Sequence, residues 1–253
     1  MKKIIVNKLK EIEQSENIRI LHAVESGSRA WGFESPDSDY DVRFIYVRPK
    51  EFYLRLDKTR DVIELPINDE LDISGWDLNK SLVLLHKSNP TLFEWFSSPI
   101  QYITTDFADG IQPYLKKHFN GVKSLYHYLS MAKTNYRAYL KDGLVKAKKY
   151  FYVLRPILAC EWIIDKDTAP PMLFSDLMKA ELPENLCEPV NELLNIKMNS
   201  PEVKEIPKVQ VINDYVESEI ASIAEMLTTL KDVPVRDWDD LNRVFLTELE
   251  KSW

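Results

Sequence analysis

The sequence predicts an α+β protein: a small mixed sheet with flanking helices over residues 1–105, followed by an all-helical domain over residues 106–253. Three observations lead there. Short β-rich runs recur at 19–25, 41–47, 58–65 and 70–75, each bounded by turn-forming residues. After about Asp106 the β signal fades and a helical period takes over. The composition, 45% hydrophobic and 29% charged over 253 residues, is that of a globular chain long enough for two modest domains.

Each element has a local reason. The first dozen residues form an amphipathic helix with Ile4, Ile5, Leu9 and Ile12 expected inward. Residues 19–25 (RILHAVE) read as a strand ending at a glycine-bracketed turn, Gly27-Ser28-Arg29-Ala30-Trp31-Gly32, which opens a short helix. The segment 34–38 is a turn, and 41–47 (DVRFIYV) alternates as a strand should. Runs 58–65 and 70–75, joined through Pro66-Ile67-Asn68-Asp69, read as a hairpin. Asp77 is placed to cap a following helix, and Asn89-Pro90 to start another. Leu125, Leu129, Ala132, Tyr136 and Tyr139 form one apolar stripe, and Leu144, Ala147, Phe151, Leu154 and Leu158 a second. Pro156 is expected to kink or restart the second of these helices after Arg155. Two further helices are expected at about 211–230 and 236–251.

Composition also narrows the classes of function. The net charge of −7 argues against nucleic-acid binding through the whole surface, while leaving room for a local basic groove. No apolar run reaches the ~20 residues of a membrane span. The N-terminus turns charged too early for a signal peptide. Cys160 and Cys187 read as buried thiols rather than a disulfide, so a reducing cytoplasm is the expected location.

The chemistry concentrates in three places. Gly27 lets backbone N–H groups approach a ligand with no Cβ in the way, Ser28 adds a hydroxyl, and free N–H groups at a helix start favour an anion. Alone, such a turn is as readily an ordinary strand-to-helix connection, and it lacks the Gly-Lys-Ser/Thr ending of a P-loop. Next comes Ser38-Asp39-Tyr40-Asp41. On a strand Asp39, Asp41 and Arg43 share one face, and carboxylates that close repel unless a cation lies among them. Oxygen ligands with no His or Cys nearby favour Mg²⁺, and Mn²⁺ fits the same set. Asp72, between Leu71 and Ile73, puts a third carboxylate in an apolar run, which is costly unless it is paired or binds metal. Three such groups on adjacent strands can bracket two metal ions for phosphoryl or nucleotidyl transfer. A third feature is the row Lys148, Tyr152, Arg155 at i, i+4, i+7, with Lys149 beside it, able to grip a triphosphate or to serve as a solvated helix face. Arg43 could neutralise a carboxylate or hold a phosphate, and Glu25 could buttress Arg29 or Arg43. His22 reads as structural, Trp31 as a packing anchor and Asp77 as a cap; His86 and His127 have no evident partners.

The order G-S-x-A-x-G, S-D-x-D and a later lone Asp resembles the DNA polymerase β nucleotidyltransferase superfamily. The strings ESGSRAWGFESPDSDYDVRFIYV, LDISGWDL and KKYFYVLRPILACEWI resemble more specifically the nucleotidyltransferases described as RNA repair pathway DNA polymerase β family. That resemblance implies a polymerase-β-like core. It implies that Gly27 and Ser28 hold the β and γ phosphates and that Asp39 and Asp41 bind both metal ions. Asp72 would bind the second metal and help activate an acceptor hydroxyl. The expected activity is transfer of an NMP from a nucleoside triphosphate to a hydroxyl, with an RNA end as the implied acceptor. A small molecule or a protein hydroxyl remains open, as does a nucleotide-binding regulatory or antitoxin-like module acting through a protein partner.

Overall fold

A computed structural model describes residues 1–66, 70–200, 204–231 and 236–253. Residues 67–69 of the expected hairpin turn lie outside the described residues. The chain divides into two compact units. One comprises Met1–Gly27, Asp39–Phe119 and Val235–Trp253, the other Ser28–Ser38 and Asn120–Pro234. The units therefore do not follow the chain as two blocks. The glycine turn belongs largely with the later helices, and the last helix belongs with the sheet.

In the first unit, helix α1 (Lys2–Glu16) leads into strand β1 (Arg19–Ser26). The short helix α2 (Gly27–Trp31) starts where β1 ends, and β2 (Tyr40–Val47) returns antiparallel to β1. After α3 (Lys50–Tyr53) come β3 (Val62–Glu64) and β4 (Leu71–Asp77), an antiparallel pair as the sequence suggests. Helices α4 (Leu78–His86) and α5 (Pro90–Phe96) precede the edge strand β5 (Gln101–Thr104). Helices α6 (Asp106–Gly110) and α7 (Gln112–His118) complete this stretch. The strand order is β3-β4-β2-β1-β5, a mixed sheet because β2 and β4 run parallel.

Residue alternation on β2 sets the layers. Val42, Phe44 and Tyr46 pack with Ile5, Leu9 and Ile12 of α1 in one buried cluster. The helix presents positions i, i+4 and i+7; Ile4 lies about 100° from Ile5 around the axis and is 58% exposed instead of inward. Gly75 makes room for this packing, since a Cβ there would stand 2.2 Å from the Phe44 ring.

The second unit is built on helices α8 (Gly121–Tyr139) and α9 (Ala147–Lys166), followed by α10 (Phe174–Glu181), α11 (Glu184–Asn199) and α12 (Gln210–Leu227). Two short strands, β6 (Leu144–Lys146) and β7 (Glu205–Pro207), pair antiparallel, which the fading β signal did not foretell. Leu144 accordingly points outward, 61% exposed, because Val145 takes the buried side of that ribbon. Tyr139, at the end of the α8 stripe, is also partly exposed, while Leu125, Leu129, Ala132 and Tyr136 are buried. Helix α9 runs through Pro156 instead of restarting there. Proline has no N–H for the carbonyl four residues back, and that carbonyl, of Tyr152, accepts a 3.0 Å bond from Asn135 Nδ2 on α8. The final helix, α13 (Asp239–Ser252), packs on β2 and α4 of the first unit. Among the described residues no helix is long and apolar enough to cross a membrane.

Asp77 caps α4 as expected, its Oδ1 accepting the Asn79 N–H at 2.8 Å while Tyr53 donates its hydroxyl to Oδ2 at 2.9 Å. Burial outweighs those bonds and pushes its pKa up to about 6. A raised folded-state pKa means stability that is full at low pH and lost as the group ionises. Relative to Asp77→Asn, the wild-type chain should lose at most about 3 kcal/mol between roughly pH 4 and pH 6, with no further divergence above pH 7. Urea unfolding of both proteins across that range checks it.

Candidate functional site

The first unit carries the carboxylates. Parallel pairing places Asp41 directly beside Asp72, and Arg43 beside Ser74. Because Val42 and Phe44 face the α1 core, Asp41 and Arg43 share the opposite face. Neighbouring strands lie ~5 Å apart, so two carboxylates in register repel unless something positive sits with them. Arg43 does so. Its Nη2 donates to Asp41 Oδ1 at 3.1 Å and to Asp72 Oδ2 at 2.7 Å. Its Nη1 donates to the Asp72 carbonyl at 2.9 Å and to its neighbour Val42's carbonyl at 3.1 Å.

Two further groups fix Asp41. Glu25 on β1 is fully buried and accepts the Asp41 N–H on Oε1 at 2.7 Å. Its Oε2 accepts the Tyr102 hydroxyl from β5, and Ser98 Oγ donates to its carbonyl at 2.7 Å. Glu25 is thus tied to the backbone of Asp41 in addition to any contact with the arginines it was expected to buttress. Gly27, at φ 64°, lies so close that a Cβ would stand 2.1 Å from Asp41 Oδ2. Glycine is needed twice over, for its left-handed backbone and for the space its missing side chain leaves. Asp39 precedes β2 and is exposed.

The oxygen-only donor set, Asp39, Asp41 and Asp72, suits Mg²⁺ or Mn²⁺ by its chemistry. Its arrangement is two carboxylates held on a guanidinium; among the described residues no three His, Cys, Asp or Glu side chains are gathered as a metal-binding group.

The second unit carries Ser28 and the cation–aromatic row. Ser28 lies in the first turn of α2, and its carbonyl accepts the Phe33 N–H at 3.2 Å. Lys149 Nζ stands 3.9 Å from the Tyr139 ring centroid and 4.6 Å from that of Tyr152. Tyr152 meets Trp31 edge-on at 6.2 Å, and Arg155 lays its guanidinium over Trp31 at 4.8 Å. Lys148 is half-buried beside them. Arg155 is 3% exposed, donating Nη2 toward Met172 Sδ at 3.7 Å, so it lies within the packed side of α9 and off the solvated face. Trp31 is a packing anchor, as its sequence context suggests.

One group in this unit escaped the sequence reading. Lys197 of α11 is 4% exposed and donates to Ser35 Oγ at 2.9 Å and, more weakly, toward Ser38 Oγ at 3.5 Å. Arg29 Nη2 donates to the Ser38 carbonyl at 2.6 Å. Two cations thereby clamp the loop that leads into Asp39. The signal was present: Lys197 continues the buried stripe Leu186, Val190, Leu193, where a lysine has no reason to be unless it has a polar task.

Elsewhere, His22 is buried and stacked on Phe96 at 5.0 Å, with burial lowering its pKa. His86 proves to have partners, stacking on Trp238 at 3.6 Å with Nε2 2.9 Å from the Arg236 carbonyl. Both cysteines are free, Cys160 buried.

Gly27→Ala should force Asp41 aside and strain the backbone, costing about 1–3 kcal/mol in a chemical-denaturation comparison with the wild-type chain.

Comparison with known proteins identifies the family. The family model described as RNA repair pathway DNA polymerase beta family matches residues 1–247. The uncharacterized protein YcgL of Bacillus subtilis (strain 168) is 48% identical over 257 residues, covering 100% of this chain and 98% of that protein. A crystal structure of a nucleotidyltransferase-like protein from Exiguobacterium sibiricum 255-15 aligns over 89% of this chain and 75% of its own, at 12% identity and a TM-score of 0.30. With its whole length matched, the chain belongs to the RNA repair pathway DNA polymerase beta family, a family of polymerase-β-like nucleotidyltransferases.

Proposed function

We propose that this chain is a divalent-metal-dependent nucleotidyltransferase that moves an NMP from a nucleoside triphosphate to a hydroxyl acceptor, with an RNA end as the acceptor its family description favours. The observation that carries the proposal is the in-register pair Asp41 and Asp72, beside a glycine whose missing Cβ leaves room for Asp41. Two carboxylates in register repel unless a cation lies with them, and Arg43 is the cation that stands there.

Roles follow from placement. Asp39, Asp41 and Asp72 would hold Mg²⁺ or Mn²⁺, which when bound supplies charge neutralisation at the reacting phosphate. Gly27 and Ser28 would offer the start of α2 to the β and γ phosphates. The acceptor oxygen attacks the α-phosphorus, the bond to the β-phosphate oxygen breaks and pyrophosphate leaves; the acceptor proton passes to an oxygen of Asp72. Glu25 and Tyr102 position the Asp41 backbone, which contributes by fixing geometry before reaction. Lys148, Lys149 and Tyr152 would engage the nucleotide, whereas Arg155 acts by holding Trp31. Arg43 offers its guanidinium to phosphate or carboxylate. The chain is expected to work in the cytoplasm.

Incubation with each NTP labelled at its α-phosphate, with Mg²⁺ and fractionated cellular RNA, protein and small molecules, tests the reading. Label in one fraction, reduced at least a hundredfold by Asp41→Asn, is the expected result. Label transferred equally well by Asp41→Asn would overturn the assignment of that carboxylate. No transfer to any fraction, with nucleotide still bound, would point to the regulatory module instead.

A further inference from the structure

The turn from Ser35 to Ser38 is held more firmly than its own chemistry requires. Pro36 supplies the second position of a β-turn, and the Ser38 N–H closes it on the Ser35 carbonyl at 3.1 Å. The Ser35 N–H donates to Ser38 Oγ at 2.9 Å, and the two hydroxyls meet at 2.9 Å. Those bonds are enough to make the turn, but they do not say where it stands. Lys197 does, donating from α11 to Ser35 Oγ at 2.9 Å and toward Ser38 Oγ at 3.5 Å. A lysine in the last turn of a helix is ordinarily a solvated companion to the free carbonyls there. This one is 4% exposed, and burying an ammonium is costly unless it is well partnered. A methionine of similar length would continue the stripe Leu186, Val190, Leu193 without that cost.

We propose that Lys197 is a positioning residue for Asp39: it fixes the Ser35–Ser38 turn on α11, so that the carboxylate that follows is delivered in one orientation. The link from turn to carboxylate is covalent. Ser38 is bonded to Asp39, and the peptide between them is planar, so the Ser38 carbonyl, the Asp39 nitrogen and the Asp39 Cα move together. Arg29 Nη2 donates to that carbonyl at 2.6 Å. Lys197 sets the place of Ser38, and Arg29 sets the tilt of the peptide that leaves it. Asp39 itself is exposed, so burial does not aim it; the backbone that delivers it must.

The effect on rate can be large. A misplacement of ~1 Å, caused by a change far from the chemistry, can cost on the order of a hundredfold. Lys197 is not asked to touch nucleotide or acceptor. Its contribution belongs in kcat, and nucleotide affinity should be nearly indifferent to it. This inference rests on the nucleotidyltransferase reading for the task of Asp39, but the placement of the turn stands on its own bonds.

The test is Lys197→Met in the full chain, read in two ways. Hydrogen exchange at the Ser35 and Ser38 amides, followed by NMR, reports the turn; kcat and KM for label transfer report the chemistry. Exchange at both amides is expected to be at least tenfold faster than in the wild-type chain, and kcat at least tenfold lower, with KM for the nucleotide changed less than about threefold. Ser35→Ala, which keeps the lysine and removes its nearer acceptor, should speed exchange at Ser38 and lower kcat in the same sense. Val190→Ala, two turns earlier on the same buried stripe, should leave both quantities near wild type. Unchanged exchange in Lys197→Met would overturn the proposal, as would faster exchange with kcat intact. A rise in KM alone would place Lys197 on the nucleotide and also overturn it, and equal losses in Val190→Ala would reduce it to packing. If Lys197→Met does not fold, Ser35→Ala decides by the same two measurements. Faster exchange in the variants, beside a wild-type chain that transfers label to no acceptor, would remove the enzyme and leave the tether.

Discussion

The register between β2 and β4 is the constraint on which the rest of the first unit depends. Val42, Phe44 and Tyr46 must meet α1, and a slip of one residue would turn them out and bring Asp41 and Arg43 into the core. Burial of three apolar side chains thus dictates where the charged ones stand. Because β4 is parallel and in step, Asp72 arrives beside Asp41 without any attraction of its own. The hydrophobic face assembles two groups that repel, and Arg43, from the same strand, makes the assembly tolerable.

How much of this was legible depends on range. The shared face of Asp41 and Arg43 follows from alternation within a single strand, as do the caps at Asp77 and Asn89 from local side chains. The pairing of Asp41 with Asp72 was legible only as a condition, since spacing does not say which strands become neighbours. The Glu25–Tyr102 bond joins residues 77 apart in sequence, and no periodicity encodes it. Lys197 lay in plain view on an apolar stripe, but its serine partners lie 159 and 162 residues earlier. At Pro156 a kink or restart was expected from a lost hydrogen bond, and the helix does not restart, the freed carbonyl being taken up by Asn135 from another helix. The two short strands β6 and β7 are too brief to leave a pattern.

In the second unit, cations and rings are in serial contact from Tyr139 through Lys149, Tyr152 and Trp31 to Arg155. Such contacts are individually modest, about 0.5–2 kcal/mol each, but they lock χ angles in series. Trp31 sits three residues after Ser28 on α2, so the row includes the element that carries the serine. Arg155 contributes to that rigidity with its guanidinium plane, a shape lysine lacks.

The membership of Val235–Trp253 in the first unit reaches into the cell's own manufacture of the protein. Helix α13 lies on β2, the strand that carries Asp41. Domains fold as units during synthesis, from the N-terminus onward, but here the unit begun first is completed last. Asp41 and Asp72 are made well before residues 120–234, and the sheet that bears them stays without α13 until that whole stretch of the other unit has been synthesised.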